Sequence, residues 1–344
     1  VASISGSPQL SEIVTIDLVS IGRANLDLYS QSIGAPFEDS AGFDAMVGGS
    51  PTNIAIGVSR LGLTSAILTA VGDDRTGDFV LRYLRDEGVI TDYIPRVPGK
   101  LTSLALLGVQ PPDSFPLSFY REDPADIYLT PGHLDALDFS TVAAVEISGN
   151  ALSRGPCVDA VEHLIDMAVR HGITTYMDVD LRPSEWGDPA DFGIAMRAAL
   201  AGVDVLIGTE EEFYAAFMSD PDRVMAGGRV PDDEHANLAA TVTSLLEAGP
   251  TVIVTKRGPR GVTIETREGR MDVAGFSVDV VNTVGAGDSF AAGLIRSRLV
   301  GLGWEESARF ANACGAIVVG RHGCSSAFPT EEEVNAFLEE HGSR

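Results

Sequence analysis

Apolar positions along the chain fall into two alternating patterns. Largely β-branched runs at Ile13 to Ile21, Thr64 to Val71, Val142 to Ser148, Ile173 to Val179, Val203 to Ile207 and Thr251 to Thr255 lack a polar face. Such runs predict strands buried on both sides. Between them, apolar residues recur at helical spacing. Ile54, Ala55, Val58 and Leu61 share one face of a helix that stops at Gly62. Further helices are expected up to Leu84, over Val158 to Val169, Glu234 to Ala248, Ala291 to Leu299 and Glu305 to Val319, and after Pro329. Strand followed by helix, repeated, predicts a parallel sheet with right-handed crossovers.

Two segments break this rhythm. Residues 32–45 are short, mixed and contain Gly and Pro, whereas residues 101–121 alternate loosely through Leu104, Leu106, Val109, Leu117 and Phe119. The interruption at Gln110-Pro111-Pro112-Asp113 reads as a hairpin, and the two segments together predict a small β-sheet projecting from the main domain. Residues 218–233 read as a surface loop, and residues 1–12 as an N-terminal tail without the basic and apolar regions of a signal peptide. The domain is therefore expected over residues 13–340, and no internal repeat is visible.

Composition narrows the partners. With 344 residues, 44% of them hydrophobic, the chain is globular, and no apolar run reaches the ~18 residues of a membrane span. A net charge of −25 argues against nucleic acid or an anionic membrane, because either requires a basic face. Any phosphate-bearing ligand needs local help from backbone N–H groups, a metal ion or single basic residues. Only Lys100 and Lys256 are lysines. Cys157, Cys314 and Cys324 have neither CxxC spacing nor an even count, so neither a disulfide framework nor a zinc site is indicated and a reducing cytoplasmic setting fits.

The chemistry-bearing stretch is Val281-Asn282-Thr283-Val284-Gly285-Ala286-Gly287-Asp288-Ser289-Phe290, between a β-branched run and a helical pattern. Gly285, Ala286 and Gly287 let backbone N–H groups approach an oxyanion, and the helix points its positive end at the same spot. Asp288, in the first turn, is placed to stay ionised and accept a proton from a hydroxyl. A Gly-x-Gly helix start with a favourable macrodipole charge explains the isolated stretch equally well. It is no Walker A loop, lacking Gly-Lys-Ser/Thr, and no dinucleotide fingerprint, lying near the C-terminus.

Other candidates follow strand ends, where open α/β sheets bind ligands. Asn25 and Asp27, two apart, point the same way if the backbone is extended; an Asx-type turn is the plainer reading. The loop Val47-Gly48-Gly49-Ser50-Pro51-Thr52-Asn53 suits close approach to a polyol. Asp178, Asp180 and Arg182 alternate after another strand, as substrate or Mg²⁺ groups or as helix caps. Gly208-Thr209-Glu210-Glu211-Glu212 is an acidic first helical turn, and Lys256-Arg257 is the chain's one Lys/Arg neighbour pair.

Taken together, these stretches resemble the ribokinase-like (PfkB) carbohydrate kinases. The 282–288 stretch is similar to the family's Asp-Thr-x-Gly-Ala-Gly-Asp, with Asn282 in the first place, and Gly48-Gly49 with Asn53 and Leu61-Gly62 to its first signature. Gly72-Asp73-Asp74 and Gly77 resemble its Gly-Asp-Asp-x-x-Gly turn. The segments Phe119-Tyr120-Arg121-Glu122-Asp123 and Asp178-Val179-Asp180-Leu181-Arg182-Pro183 look like those of the 5-dehydro-2-deoxygluconokinase subgroup. The resemblance implies a three-layer α/β/α sandwich with a small β-sheet lid, which the family often uses as a dimer surface, so a homodimer through the lid is an expectation.

It also implies ATP-dependent phosphorylation of the primary hydroxyl of a small acidic keto-sugar, 5-dehydro-2-deoxygluconate in inositol breakdown. Other acceptors within the family are 2-keto-3-deoxygluconate, fructose and ribose, and a sensor without turnover is the non-enzyme alternative. By resemblance, Asp288 is the base and Gly285, Ala286 and Gly287 the anion hole. Asn25, Asp27, Gly48, Gly49, Asn53, Arg121, Asp178 and Arg182 would hold the sugar, Arg121 pairing with its carboxylate. Thr255, Arg257, Gly258, Gly261, Asn312 and Ala316 would hold ATP, and Glu211 would position Mg²⁺ through water. Asn282 replaces an acid that often helps hold a monovalent cation, so potassium dependence is left open.

Overall fold

The computed structural model describes residues 15–110, 116–218, 222–225 and 229–342. The N-terminal tail, the tip of the 101–121 hairpin and parts of the 218–233 loop lie outside them. A central sheet runs in the order Gly269–Val273, Val262–Thr266, Val252–Lys256, Val205–Thr209, Thr174–Asp178, Val142–Ser148, Ile16–Ile21, Ser65–Leu68. The six strands from Val252–Lys256 to Ser65–Leu68 are parallel, and the last two on the other edge return antiparallel.

Alternation along each strand sends side chains to two helical layers. Val19, Ile21, Val145, Ile147 and Met177 pack against helices Cys157–His171, Pro189–Ala199, Glu210–Phe217 and His235–Leu245. Leu18, Ala144, Tyr176, Ile207 and Val254 face helices Ser50–Arg60, Ala286–Leu299 and Trp304–Val319 on the other side. This is the α/β/α sandwich expected from the uninterrupted apolar runs.

The second sheet, of strands Phe43–Gly48, Asn25–Ser30, Ser103–Leu107 and Leu117–Tyr120, differs from expectation in two respects. Asn25 and Asp27 close no turn; they begin its second strand, paired with Gly48 and Met46 on one side and Ser103 and Ala105 on the other. The 32–45 segment contributes mainly a short 3₁₀ turn, Phe37–Asp39, and the pairing strand begins at Phe43. The polar alternation of Asn25 and Asp27 hid the strand, because its period-2 face turns toward a cavity instead of apolar packing.

Helices Ser50–Arg60 and Ala286–Leu299 approach closely through small residues. A Cβ on Gly57 would lie 2.6 Å from the Cβ of Ala292 and 3.0 Å from Phe328. Gly57→Ala is expected to destabilise the fold by about 1–3 kcal/mol through overpacking, read as a lower midpoint in urea unfolding. An unchanged midpoint would show that the helices can separate freely.

Candidate active site

The ends of the parallel strands converge on one cavity of about 690 Å³, walled on one side by the four-stranded sheet. The strand Ile16–Ile21 has its neighbours on both sides reached by chain running in opposite directions, which opens a crevice at the strand ends. Gly285 begins the Ala286–Leu299 helix in a left-handed conformation, φ +84°. Any side chain there would be strained and would run into Cys324 Sγ, 2.5 Å from the Cβ position.

Asp288 projects from the first turn of that helix. Ser50 Oγ donates to its Oδ1 at 2.7 Å and Asn53 Nδ2 to its Oδ2 at 2.7 Å, both from the facing helix. Burial and then the Asp180 charge raise the Asp288 pKa, while the Asn53 and Ser50 hydrogen bonds and Arg182 pull it down. The sequence suggests a carboxylate held ionised by the helix end; in the structure burial outweighs such stabilisation, and the net direction is upward, toward a better proton acceptor. Asn53→Ala removes a donor that favours the carboxylate, so the acid limb of kcat/KM is expected to move to higher pH, measured by a pH–rate profile. An acid limb that stays in place would mean that Asp288 does not govern it.

Beside this pair lie two further buried acids. Asp180, the one non-glycine residue with positive φ (40°) among the described residues, accepts from Ser148 Oγ at 2.7 Å and pairs with Arg182 at 2.9 Å. Asp178 is gripped by Lys256 Nζ at 2.7 and 3.1 Å. Burial works against the Lys256 charge, but Asp178 and Glu212 outweigh it and hold the ammonium in its charged form. A Cβ on Gly287 would sit 3.5 Å from that Nζ, so the cation stands at the glycine turn.

On the lid side, Asn25 Nδ2 donates to Asp27 Oδ1. Burial pushes the Asp27 carboxyl up to about 7, against the pull of Arg23 and Asn25. At the opposite end the cavity is lined by Gly258, Pro259, Gly261, Asn312, Gly315, Ala316 and Val319. A Cβ on Gly261 would meet Val273 O at 2.1 Å, so the loop lies flat against the sheet edge.

Most expected site residues meet here: Asn25, Asp27, Gly49, Asn53, Asp178, Arg182, Gly258, Gly261, Gly285, Ala286, Gly287, Asp288, Asn312 and Ala316 all line the cavity. Five do not. Gly48 leaves room for Asp27, whose Oδ2 is 1.9 Å from the Gly48 Cβ position, and does not itself line the cavity. Arg121 is buried in an ion pair with Asp126, to which Nη1 and Nη2 each donate at 2.7 Å, and with Glu185, which Nε meets at 3.0 Å.

Thr255 lies buried within the strand Val252–Lys256, and Arg257 turns to Asp272 at 3.2 Å and Glu210 at 3.7 Å. The basic side chain at the glycine turn is Lys256 instead, because alternation at the strand end sends neighbours to opposite faces. Glu211 likewise yields to Glu212, which lines the cavity, accepts from Thr209 N at 2.7 Å and lies 3.9 Å from Lys256. Residues that sequence reasoning missed are Arg23, Ser50 and Glu212. For Glu212 the signal was available, since Thr209 with Glu212 three residues on spells a capping box.

A family model for the pfkB family carbohydrate kinases matches residues 15–331. The chain belongs to this family. The kinase is 34% identical over 325 residues to a 5-dehydro-2-deoxygluconokinase of Bacillus anthracis, covering 94% of this chain and 95% of that one. Among solved structures, an E. coli protein in complex with ATP and Mg²⁺ superposes with a TM-score of 0.80 at 24% identity, covering 95% of this chain and all of that one. A Vibrio cholerae fructokinase with fructose, ADP and potassium bound gives 0.78 at 23% identity, covering 94% and 99%. Both likenesses bear on the fold, which is ribokinase-like. No helix among the described residues is long and apolar enough to cross a membrane.

Proposed function

We propose that this carbohydrate kinase transfers the γ-phosphoryl group of ATP to the primary hydroxyl of 5-dehydro-2-deoxygluconate. The observation that carries the reading is Asp288, oriented by Ser50 and Asn53 beside the Gly285–Gly287 turn, in one cavity with Arg23 and Arg182. Relatives named for this acceptor support the choice of sugar.

In the proposed reaction the acceptor oxygen forms a bond to the γ-phosphorus, the bond to the ADP oxygen breaks, and the hydroxyl proton passes to Asp288 Oδ. The amides of Gly285, Ala286 and Gly287 and the Lys256 ammonium face the charge that spreads over the transferring group. Asn25, Asp27, Gly49 and Asn53 offer a polar wall for the sugar hydroxyls, and Asp178 acts by holding Lys256. The flat Gly258–Gly261 turn and the small side chains at Gly315 and Ala316 leave a slot of the right character for adenosine.

Among the described residues no cluster of three or more metal-ligating side chains exists, which fits Mg²⁺ carried mainly by phosphates and water with one or two carboxylates. Glu212 is the acid that would hold it, where it would supply charge neutralisation on the phosphates. Asn282 spends its amide on Gly323 O at 2.9 Å and on Val284 N at 3.0 Å, so a potassium requirement would rest on backbone carbonyls.

ADP release from Mg-ATP, measured in parallel with 5-dehydro-2-deoxygluconate, 2-keto-3-deoxygluconate, fructose and ribose, tests the reading. Selective turnover of the first is expected. Turnover of a neutral sugar alone would discard the acceptor, and silence on all four would favour nucleotide sensing. A homodimer through the exposed lid residues Leu117 and Tyr120 is part of the same proposal, tested by light scattering.

A further inference from the structure

Arg23 is the most unusual cation in the molecule. It follows Gly22, whose φ of +146° bends the chain from the central strand into the lid, where a Cβ would strike Pro51 at 2.9 Å. Its carbonyl accepts from Thr52 Oγ1 at 2.9 Å, and the backbone of Gly49 lies so close that a Cβ there would be 2.3 Å from that oxygen. The residue is thus clamped between core and lid, only 6% exposed, with its side chain lining the cavity.

The guanidinium lacks the partners such burial normally demands. Nε has no hydrogen-bond partner, and the ion pair to Asp180 is long, 3.9 Å. Asp180 is already satisfied by Arg182 at 2.9 Å and Ser148 at 2.7 Å. Phe119, from the lid sheet, offers its ring 5.7 Å from the guanidinium carbon, a surface that orients the planar group without neutralising it. An unpartnered guanidinium taken out of water is costly, and the group that best offsets the cost is a carboxylate bound by two N–H groups.

The other cations of the cavity are taken. Lys256 is bound to Asp178, and Arg182 spends one nitrogen on Asp180 and another on Leu181 O at 3.0 Å. Arg121, which the sequence pattern favoured, is closed off by Asp126 and Glu185.

We infer that Arg23 is the receptor for the carboxylate of the acceptor and the residue that makes this kinase select a sugar acid over a neutral sugar. The inference rests on the proposed acceptor class. Burial lowers the Arg23 pKa and an arriving carboxylate reverses that pressure, so binding of the acid relieves a desolvated charge. A neutral sugar of the same shape leaves the guanidinium unpaired.

The test compares wild type, Arg23→Gln and Arg23→Lys on 5-dehydro-2-deoxygluconate and on its carboxamide, which keeps the shape and removes the charge. Wild type is expected to prefer the acid. Arg23→Gln is expected to raise KM for the acid by roughly 10- to 100-fold, the worth of a buried charge-assisted hydrogen bond, with KM for the carboxamide and for ATP far less affected. Arg23→Lys, which keeps the charge without the fork, is expected to fall between; it decides the matter if the Gln variant does not fold. Equal losses on acid and carboxamide, or no loss on either, with wild type still using the acid, would overturn the role of Arg23 and leave the acceptor standing. Wild type turning over only neutral sugars would remove the acceptor class, and the role of Arg23 with it.

Discussion

Asp288→Asn is expected to lower kcat by ~10²–10⁴-fold, the usual range for losing a positioned general base, with an unchanged circular dichroism spectrum. The amide keeps the shape, and its nitrogen and oxygen can still face Asn53 and Ser50, which now donate 2.7 Å hydrogen bonds to the carboxylate. What it loses is the capacity to take a proton. The defect therefore belongs in kcat and kcat/KM together, while KM for ATP stays near the wild-type value. Near-normal turnover by a well-folded variant would remove Asp288 from the mechanism.

Arg121→Ala is expected to destabilise the fold by roughly 3–5 kcal/mol, the cost of breaking a buried ion pair by removing one partner. Asp126, 4% exposed, would lose both of its hydrogen bonds from the guanidinium, and Glu185 would keep only Arg154 at 3.3 Å. Arg121 directly follows the lid strand Leu117–Tyr120, so the pair fastens the lid to the turn Ala125–Tyr128 and to the Pro183–Glu185 turn. The measurement is urea unfolding alongside the KM for the sugar acid. A stable variant with a raised KM for the acid would restore Arg121 as the carboxylate ligand and displace Arg23.

The contrast between Arg121 and Arg23 shows where reading along the chain stops. Arg121 stands in a motif, after an alternating strand and before Glu122 and Asp123, and the motif drew attention to it. Which acid closes on it depends on Asp126 and on Glu185, the latter far away in sequence and brought near by the sheet. Arg23 stands in no charged motif at all. Its significance is a shortage of partners, and only the packed structure can reveal that the acid it reaches, Asp180, is already held by Arg182 and Ser148.

The same limit explains the one-residue displacements. The glycine turn, the acidic helix start and the basic pair are visible in the sequence, but motif position points to Glu211 and Arg257, whereas the side chains that line the cavity are Glu212 and Lys256. At a strand or helix end a single step rotates a side chain to the other face, by about 180° in a strand and 100° in a helix. The local twist that fixes the outcome comes from neighbours such as Lys256 with Asp178 and Arg257 with Asp272.

By itself, the sequence determined the sandwich and its parallel strands with most of their helices, the glycine turn ahead of Asp288, and the loop carrying Asn53, but not the edge strands Val262–Thr266 and Gly269–Val273 or the helix Pro189–Ala199. The features it determined are local, set by periodicity, by small residues at turns and by helix-end chemistry, and each is legible within a dozen residues or so. The tertiary structure alone decided that Ser50 and Asn53 orient Asp288 across the 238 and 235 positions that separate them from it, that Asn25 and Asp27 belong to the lid sheet, and which cations are paired. The physical reason is that a charge takes its meaning from its distance to other charges and from its burial, and neither quantity exists until the chain has folded.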